Sequence, residues 1–212
     1  DNTLIYSARH DIGEEKTDAE FYEERAVSFM TNRSSSLLKK VCARLLLVPT
    51  TTRTEEQYRR INLKTGSPAY ALVCNGGVLL YRGQEVRAWY EASLRQIEKS
   101  QRELLRARIL MEKEEDRIFE VRNIRNLFLF TKSSEPQKTA ERLRSALDGS
   151  RVQVFQNGYK VYVLPVGLDK GSAVRRFRDY IKADRVIAAG DSEFDVPMLE
   201  AADLAYAPKA LA

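Results

Sequence analysis

The chain has 212 residues, 43% of them hydrophobic, and a net charge of +5. That is enough apolar material for one medium domain, or for a core domain with a small insert, and it excludes wholesale disorder. No apolar run approaches the roughly 18 residues that a membrane-spanning helix needs, so no membrane association is expected, and the mild positive charge suits an anionic ligand without arguing for nucleic acid. Cys42 and Cys74 sit in apolar settings and read as reduced core residues of a cytoplasmic protein. Nothing resembles a zinc ligand set. His10 is the single histidine, in a charged segment, which leaves histidine-dependent nucleophilic catalysis almost without a base. Any chemistry falls to carboxylates and lysines.

From the start of the chain, Asp1 to Tyr6 reads as the end of a strand running into a loop. Arg9 to Glu24 is charged, with little apolar periodicity, and reads as a loop or an exposed helix. A helix is expected near Ser34 to Ala43, with the serine run as its N-cap. The apolar run in "RLLLVPTTTR" suits a parallel strand covered on both faces. Glu55 to Asn62 reads as a helix. "YALVCNGGVLLY" reads as two strands joined at Asn75-Gly76-Gly77.

The character changes after Tyr81. Ala88 to Glu115 reads as one long, basic, amphipathic helix with Trp89, Leu94, Ile97, Leu104 and Leu105 on its apolar stripe. "DRIFEVRN" alternates like a half-exposed strand and "LFLFT" continues it. A helix from about Pro136 to Leu147 follows, and "RVQVFQNGYKVYVLP" forms a hairpin at Asn157-Gly158. These antiparallel, one-side-wet strands differ from the buried runs around them. The contrast predicts an α/β core with an inserted small α+β domain: core residues 1–81, insert 82–166, core again 167–212. Beyond the insert come a helix opened by Lys170-Gly171-Ser172, a buried strand in "DRVIAAG", and a helix with Pro197 in its first turn.

In "RVIAAGDSEFDVPML" an apolar strand ends at Gly190, and two acids follow four residues apart, Asp191 and Asp195. In an open parallel sheet, ligands bind at the carboxyl ends of strands, and two acids there can hold Mg²⁺. The pair taken alone fits equally a turn residue and a helix N-cap. Three further loops bear on the choice: "DNTL" with Asp1 and Thr3, "VPTTTR" with its hydroxyls and Arg53, and "DKGSA" with Lys170. A lone lysine or threonine there is commonly a surface or capping residue. Together they compose a phosphoryl-transfer set, in which lysine and metal neutralise charge and hydroxyls orient the group.

That order of motifs resembles the haloacid dehalogenase (HAD) superfamily of phosphatases. The nearest pattern is that of members with a large cap between the second and third motifs, the Cof-type and sucrose-phosphatase-like groups. "DNTLIYS" matches the second half of the Asp-x-Asp-x-Thr motif, and "TTTR" sits where a Thr/Ser-Gly-Arg sequence is usual. "CNGGVLLY" resembles the Ser-Asn-Gly-Ala strand turn, "DKGSAV" the lysine motif, and "GDSEFDVPML" the Gly-Asp-x-x-x-Asp motif. The resemblance implies a Rossmann-like core with a parallel sheet and an α+β cap. It also implies Mg²⁺-dependent hydrolysis of a small phosphorylated substrate, such as a sugar phosphate, through an aspartyl-phosphate.

The nucleophile is then expected two residues before Asp1. Asp1 would protonate the leaving oxygen, activate water, and touch Mg²⁺ through its carbonyl. Thr51 would hydrogen-bond the phosphoryl group and Lys170 would stabilise it. Asp191 would bind Mg²⁺ directly, and Asp195 would support the metal directly or through water. Thr3, Thr52, Arg53, Asn75 and Gly76 would contact substrate. Thr52 stands where glycine is usual, and Phe194 where Cof-type members carry asparagine. A phosphotransferase or phosphomutase of the same fold, or a catalytically degenerate binding protein, would share this pattern.

Overall fold

The computed structural model describes residues 2–211. It divides into two compact units, one running up to Val86 and resuming at Asp169, the other spanning Arg87–Leu168.

The first unit begins with β1 (Tyr6–Ser7), β2 (Lys16–Tyr22) and β3 (Arg25–Thr31), an antiparallel sheet in the order β1-β3-β2. Of the stretch Arg9 to Glu24, expected as a loop or an exposed helix, residues 9–15 are a loop and Lys16–Tyr22 is strand β2. Two features hid it. The β2–β3 turn is made by Glu23 and Glu24, both at positive φ (47° and 64°), a conformation usually signalled by Asn-Gly. The inward position at Glu20 is charged yet 3% exposed, so the alternation of apolar and polar residues is broken. Helix α1 (Asn32–Cys42) forms as expected, but Thr31 caps it, accepting from the Ser34 N–H, and the serines lie inside the helix. Ile5, Ala19, Met30 and Leu38 close a small core here with Leu63.

The buried parallel strand expected in "RLLLVPTTTR" does not form. Leu45 and Leu46 are each 51% exposed, and pairing is limited to one parallel bridge, Thr50 with Leu72. Pro49 has no N–H to extend a ladder there. After α2 (Glu55–Arg59), β4 (Tyr70–Val73) and β5 (Val78–Tyr81) form the expected hairpin, to which β6 (Gln84–Glu85) adds.

In the second unit the expected long helix is broken. Helix α3 (Arg87–Gln96) passes through a 3₁₀ turn at Glu98–Ser100 into α4 (Gln101–Glu112). Ser100 is buried at the break and its hydroxyl donates to the Arg151 carbonyl. The tighter turn shifts the helical phase, so Leu104, Ala107 and Met111 face inward while Leu105 is 64% exposed. Strands β7 (Arg122–Ile124) and β8 (Phe128–Lys132) are antiparallel partners, as expected of the insert, although most of the strand read in "DRIFEVRN" lies before β7. Helix α5 (Pro136–Ala146) and the hairpin β9 (Val152–Asn157) and β10 (Lys160–Pro165) complete a sheet in the order β7-β8-β10-β9. Helices α4 and α5 cover the face that carries Leu129, Val152, Val154, Val161 and Val163.

The chain returns to the first unit in α6 (Lys170–Ile181), β11 (Ile187–Ala189), α7 (Val196–Glu200) and β12 (Leu204–Tyr206). Strand β11 pairs in parallel with β12, and Ile187 is 45% exposed where a buried strand was expected. Helices α6 and α7 touch at their first turns, where a Cβ on Gly171 would lie 2.1 Å from the Pro197 carbonyl oxygen. Helix propensity alone favours Gly171→Ala by about 1 kcal/mol. The clash should outweigh it, because the obstructing atom is backbone. We expect a net loss of about 1–3 kcal/mol, measured by urea unfolding, and an unchanged midpoint would contradict this packing.

Candidate active site

The turn after β11 is organised by Asp195. Its Oδ2 accepts from the Ser192 hydroxyl at 2.8 Å, the Ser192 N–H at 3.1 Å and the Asp191 N–H at 3.2 Å. Its Oδ1 accepts from the Lys170 ammonium at 2.5 Å. The side chain therefore does not cap α7, although Asp195 occupies the N-cap position. Lys170 is aimed by its place at the start of α6, whose N-cap, Asp169, accepts from the Ser172 N–H at 2.7 Å. Both members of the pair are buried, Lys170 at 8% and Asp195 at 5% exposure. Burial pushes the Asp195 carboxyl up, but the Lys170 charge, the hydrogen bonds from Lys170 and Ser192, and the Asp191 N–H outweigh it and hold the group below the usual aspartate range.

Asp191 is half-buried at the end of β11, and Thr3 donates its hydroxyl to Asp191 Oδ1 across 188 residues of sequence. Thr3, Asp191, Asp195 and Lys170 are thus joined by one run of hydrogen bonds.

A second run leads to the threonine loop. The Thr51 N–H donates to the Leu72 carbonyl, and the Thr51 carbonyl accepts from the Asn75 N–H, both at 2.9 Å. The Thr51 hydroxyl oxygen accepts from the Arg53 N–H at 3.1 Å, which leaves its own O–H to donate elsewhere. Thr52 is half-buried beside it, and Asn75 is 2% exposed. Gly76 has φ +86°, and a Cβ there would lie 2.2 Å from Ala173 Cβ in the first turn of α6. Only a glycine lets the Asn75–Gly76 turn approach the helix that carries Lys170 so closely.

Of the residues singled out in sequence, Thr3, Lys170, Asp191 and Asp195 meet directly. Thr51, Asn75 and Gly76 are connected to them through the turn and α6. Asp1 lies outside the described residues. The guanidinium of Arg53 is directed to Glu20, with Nη1 at 2.9 Å from each carboxylate oxygen. Ser192 and Glu20 were not singled out. Ser192 lies inside the "GDSEFD" run and was open to recognition there, whereas Glu20 lay in a segment without a strand signal.

Among the described residues no cluster of three His, Cys, Asp or Glu side chains could hold a metal ion. Asp191 presents a carboxylate at the strand end, while both oxygens of Asp195 are engaged by protein donors. A hard, oxygen-only set with few carboxylates suits Mg²⁺, which keeps waters and takes substrate oxygens to complete its shell. Asp195 fits a supporting place better than a direct one.

Residues 77–209 match the family model of the haloacid dehalogenase-like hydrolases. The chain belongs to that family. The resemblance read from its five motifs, the α/β fold and the assignment as a hydrolase of this type all hold. Lys170, Asp191 and Asp195 of this HAD-like hydrolase lie within the matched stretch, and Thr3, Thr51, Asn75 and Gly76 lie before it. No curated protein matches it in sequence.

Solved structures with the same fold include the sucrose-phosphatase of Synechocystis sp., determined with sucrose and phosphate. It is 17% identical with a TM-score of 0.60, over 82% of this chain and 83% of that one. A haloacid dehalogenase-like hydrolase from B. subtilis is 14% identical with a TM-score of 0.56, over 84% and 82%. An IMP-bound IMP-nucleotidase of Plasmodium falciparum is 13% identical with a TM-score of 0.60, over 89% of this chain and 61% of that one. At these identities the likeness is one of fold. Among the described residues no helix is long and apolar enough to cross a membrane.

The depressed Asp195 carboxyl has a consequence for acid stability. Its folded pKa lies below the unfolded value of about 3.9, so its contribution is complete above that pH and is lost as pH falls through the folded value. Urea midpoints across about pH 5 to 2 should therefore fall less steeply in Asp195→Asn than in the unaltered protein. Parallel acid limbs would contradict a charged, stabilising Asp195.

Proposed function

We propose that this HAD-like hydrolase is a Mg²⁺-dependent phosphomonoester hydrolase that acts on a small phosphorylated metabolite through an aspartyl-phosphate. The observation that carries the reading is the buried Lys170–Asp195 pair, hydrogen-bonded through Asp191 to Thr3. A lysine placed beside two carboxylates and a hydroxyl at a strand end suits a phosphoryl group and a divalent cation together. The fold is shared with a sucrose-phosphatase and an IMP-nucleotidase, so sugar phosphates and nucleoside monophosphates are the first compounds to try.

In this mechanism a carboxylate two residues before Asp1 attacks phosphorus and the P–O bond to the leaving group breaks. Asp1 gives its proton to the departing oxygen. It then takes a proton from the water that attacks the aspartyl-phosphate, and inorganic phosphate leaves. The Thr51 hydroxyl donates to a phosphoryl oxygen. Lys170, held by Asp195, supplies positive charge to the same group, and Thr3 orients Asp191. Asp191 and the Asp1 carbonyl would hold Mg²⁺, which when bound supplies charge neutralisation to the phosphoryl oxygens. The unit of residues 87–168 is the cap in this reading, and nucleic acid and membrane are not partners.

The test is phosphate release by the full-length protein over a panel of sugar phosphates and nucleoside monophosphates, with and without Mg²⁺. Asp191→Asn keeps an oxygen for Thr3 to donate to, so the fold should survive. We expect a loss of about three orders of magnitude in kcat/KM, or about 4 kcal/mol of transition-state stabilisation. Equal turnover in that variant, or activity indifferent to chelation, would defeat the proposal.

A further inference from the structure

We propose that Glu20 is a positioning residue for the Thr51 hydroxyl, acting through Arg53. The inference rests on the phosphatase reading for its function and on hydrogen bonds of the first unit for its geometry. Glu20 lies on β2 and is 3% exposed. A buried carboxylate persists only where partners satisfy it. Here Oε2 accepts from the Ser28 hydroxyl at 2.9 Å, both oxygens accept from Arg53 Nη1, and Oε1 accepts from Arg60 Nε at 3.2 Å. The two arginines flank α2, so one carboxylate holds both ends of that short helix. The same edge of β2 is tied down again by the Glu20–Ile61 bridge and the Asn62 N–H donating to the Ala19 carbonyl.

Arg53 connects this anchor to the threonine loop through its backbone. Its N–H donates to the Thr51 hydroxyl oxygen at 3.1 Å, and its carbonyl accepts from the Cys74 N–H at 2.8 Å, one residue before Asn75. The side chain of Arg53 fixes where its N–H points, and the N–H fixes which way the Thr51 O–H is left to donate. Stability alone does not require this arrangement, since apolar residues of similar volume often replace buried ion pairs without loss. A fixed hydroxyl direction does require it, because a phosphoryl group is recognised by geometry as much as by charge. Arg53, expected to contact substrate, then acts chiefly as the link between Glu20 and Thr51.

The experiment compares the full-length protein with Glu20→Gln, and with Arg60→Gln as a control that touches the same carboxylate but not the threonine loop. Amide exchange is followed at Arg53, Cys74 and Asn75, and affinity for inorganic phosphate is measured by calorimetry. In Glu20→Gln those three amides should exchange faster by about tenfold or more, and phosphate should bind about tenfold more weakly. Adding Arg53→Gln to Glu20→Gln should weaken binding no further, and Arg60→Gln should leave both readouts within about twofold. Should Glu20→Gln fail to fold, Glu20→Asp keeps the charge, withdraws it by one methylene, and is read in the same way. Unchanged exchange at the three amides, or an equal effect from Arg60→Gln, overturns the proposal. An unaltered protein that binds no phosphate counts against the phosphatase reading, and the exchange comparison still decides the role of Glu20.

Discussion

The ion pair between Lys170 and Asp195 is the constraint on which the site depends. Their side chains are 10% and 7% exposed, and both oxygens of the carboxylate accept from protein donors. Removing one partner of such a pair typically costs about 3–5 kcal/mol, because the other is left charged and dry. The pair locks the first turn of α6 to the turn after β11. It thereby sets the position of Asp191, whose N–H is held by the same carboxylate. The close contact at Gly171 and Pro197 makes the approach of the two helices possible.

A second buried charge organises the other side of the first unit. Glu20 gathers Arg53, Arg60 and Ser28 around one carboxylate. The first hairpin, which carries none of the five motifs, thus becomes a support for the threonine loop. Buried charges recur at the two places where loops must be held without regular secondary structure. This is consistent with hydrogen-bonded ion pairs serving geometry more than net stability. The second unit has no such feature in its core. Its sheet and the helices α4 and α5 enclose an apolar cluster of their own, which explains how a stretch of this length is accommodated between β6 and α6.

Local signals were legible wherever backbone chemistry is local. The Asn157-Gly158 hairpin, Pro136 at the start of α5 and the opening of α6 at Lys170-Gly171-Ser172 were marked by the residues that make them. The β2–β3 hairpin was not, because two glutamates make its turn and a charged residue takes an inward position. The break between α3 and α4 was equally hidden. No proline or glycine marks it, and the hydrogen bond at the break runs from Ser100 to Arg151, 51 residues away. Apolar composition also misled at Leu45 and Leu46, where a run suited to a buried strand is half exposed.

The sequence by itself determined the family and the α/β class, and it named Thr3, Lys170, Asp191 and Asp195, which the fold then brings together as a candidate site. Those properties follow from residue types at short spacings, which need no knowledge of what lies across the fold. Tertiary structure alone decided how the residues are used. Asp195 is turned back onto Lys170 and Ser192 instead of capping α7, Arg53 is directed to Glu20, and Thr3 reaches Asp191 from the opposite end of the chain. The physical reason is that a buried charge takes its partners from whatever the packing brings within about 3 Å, and linear order does not encode that distance.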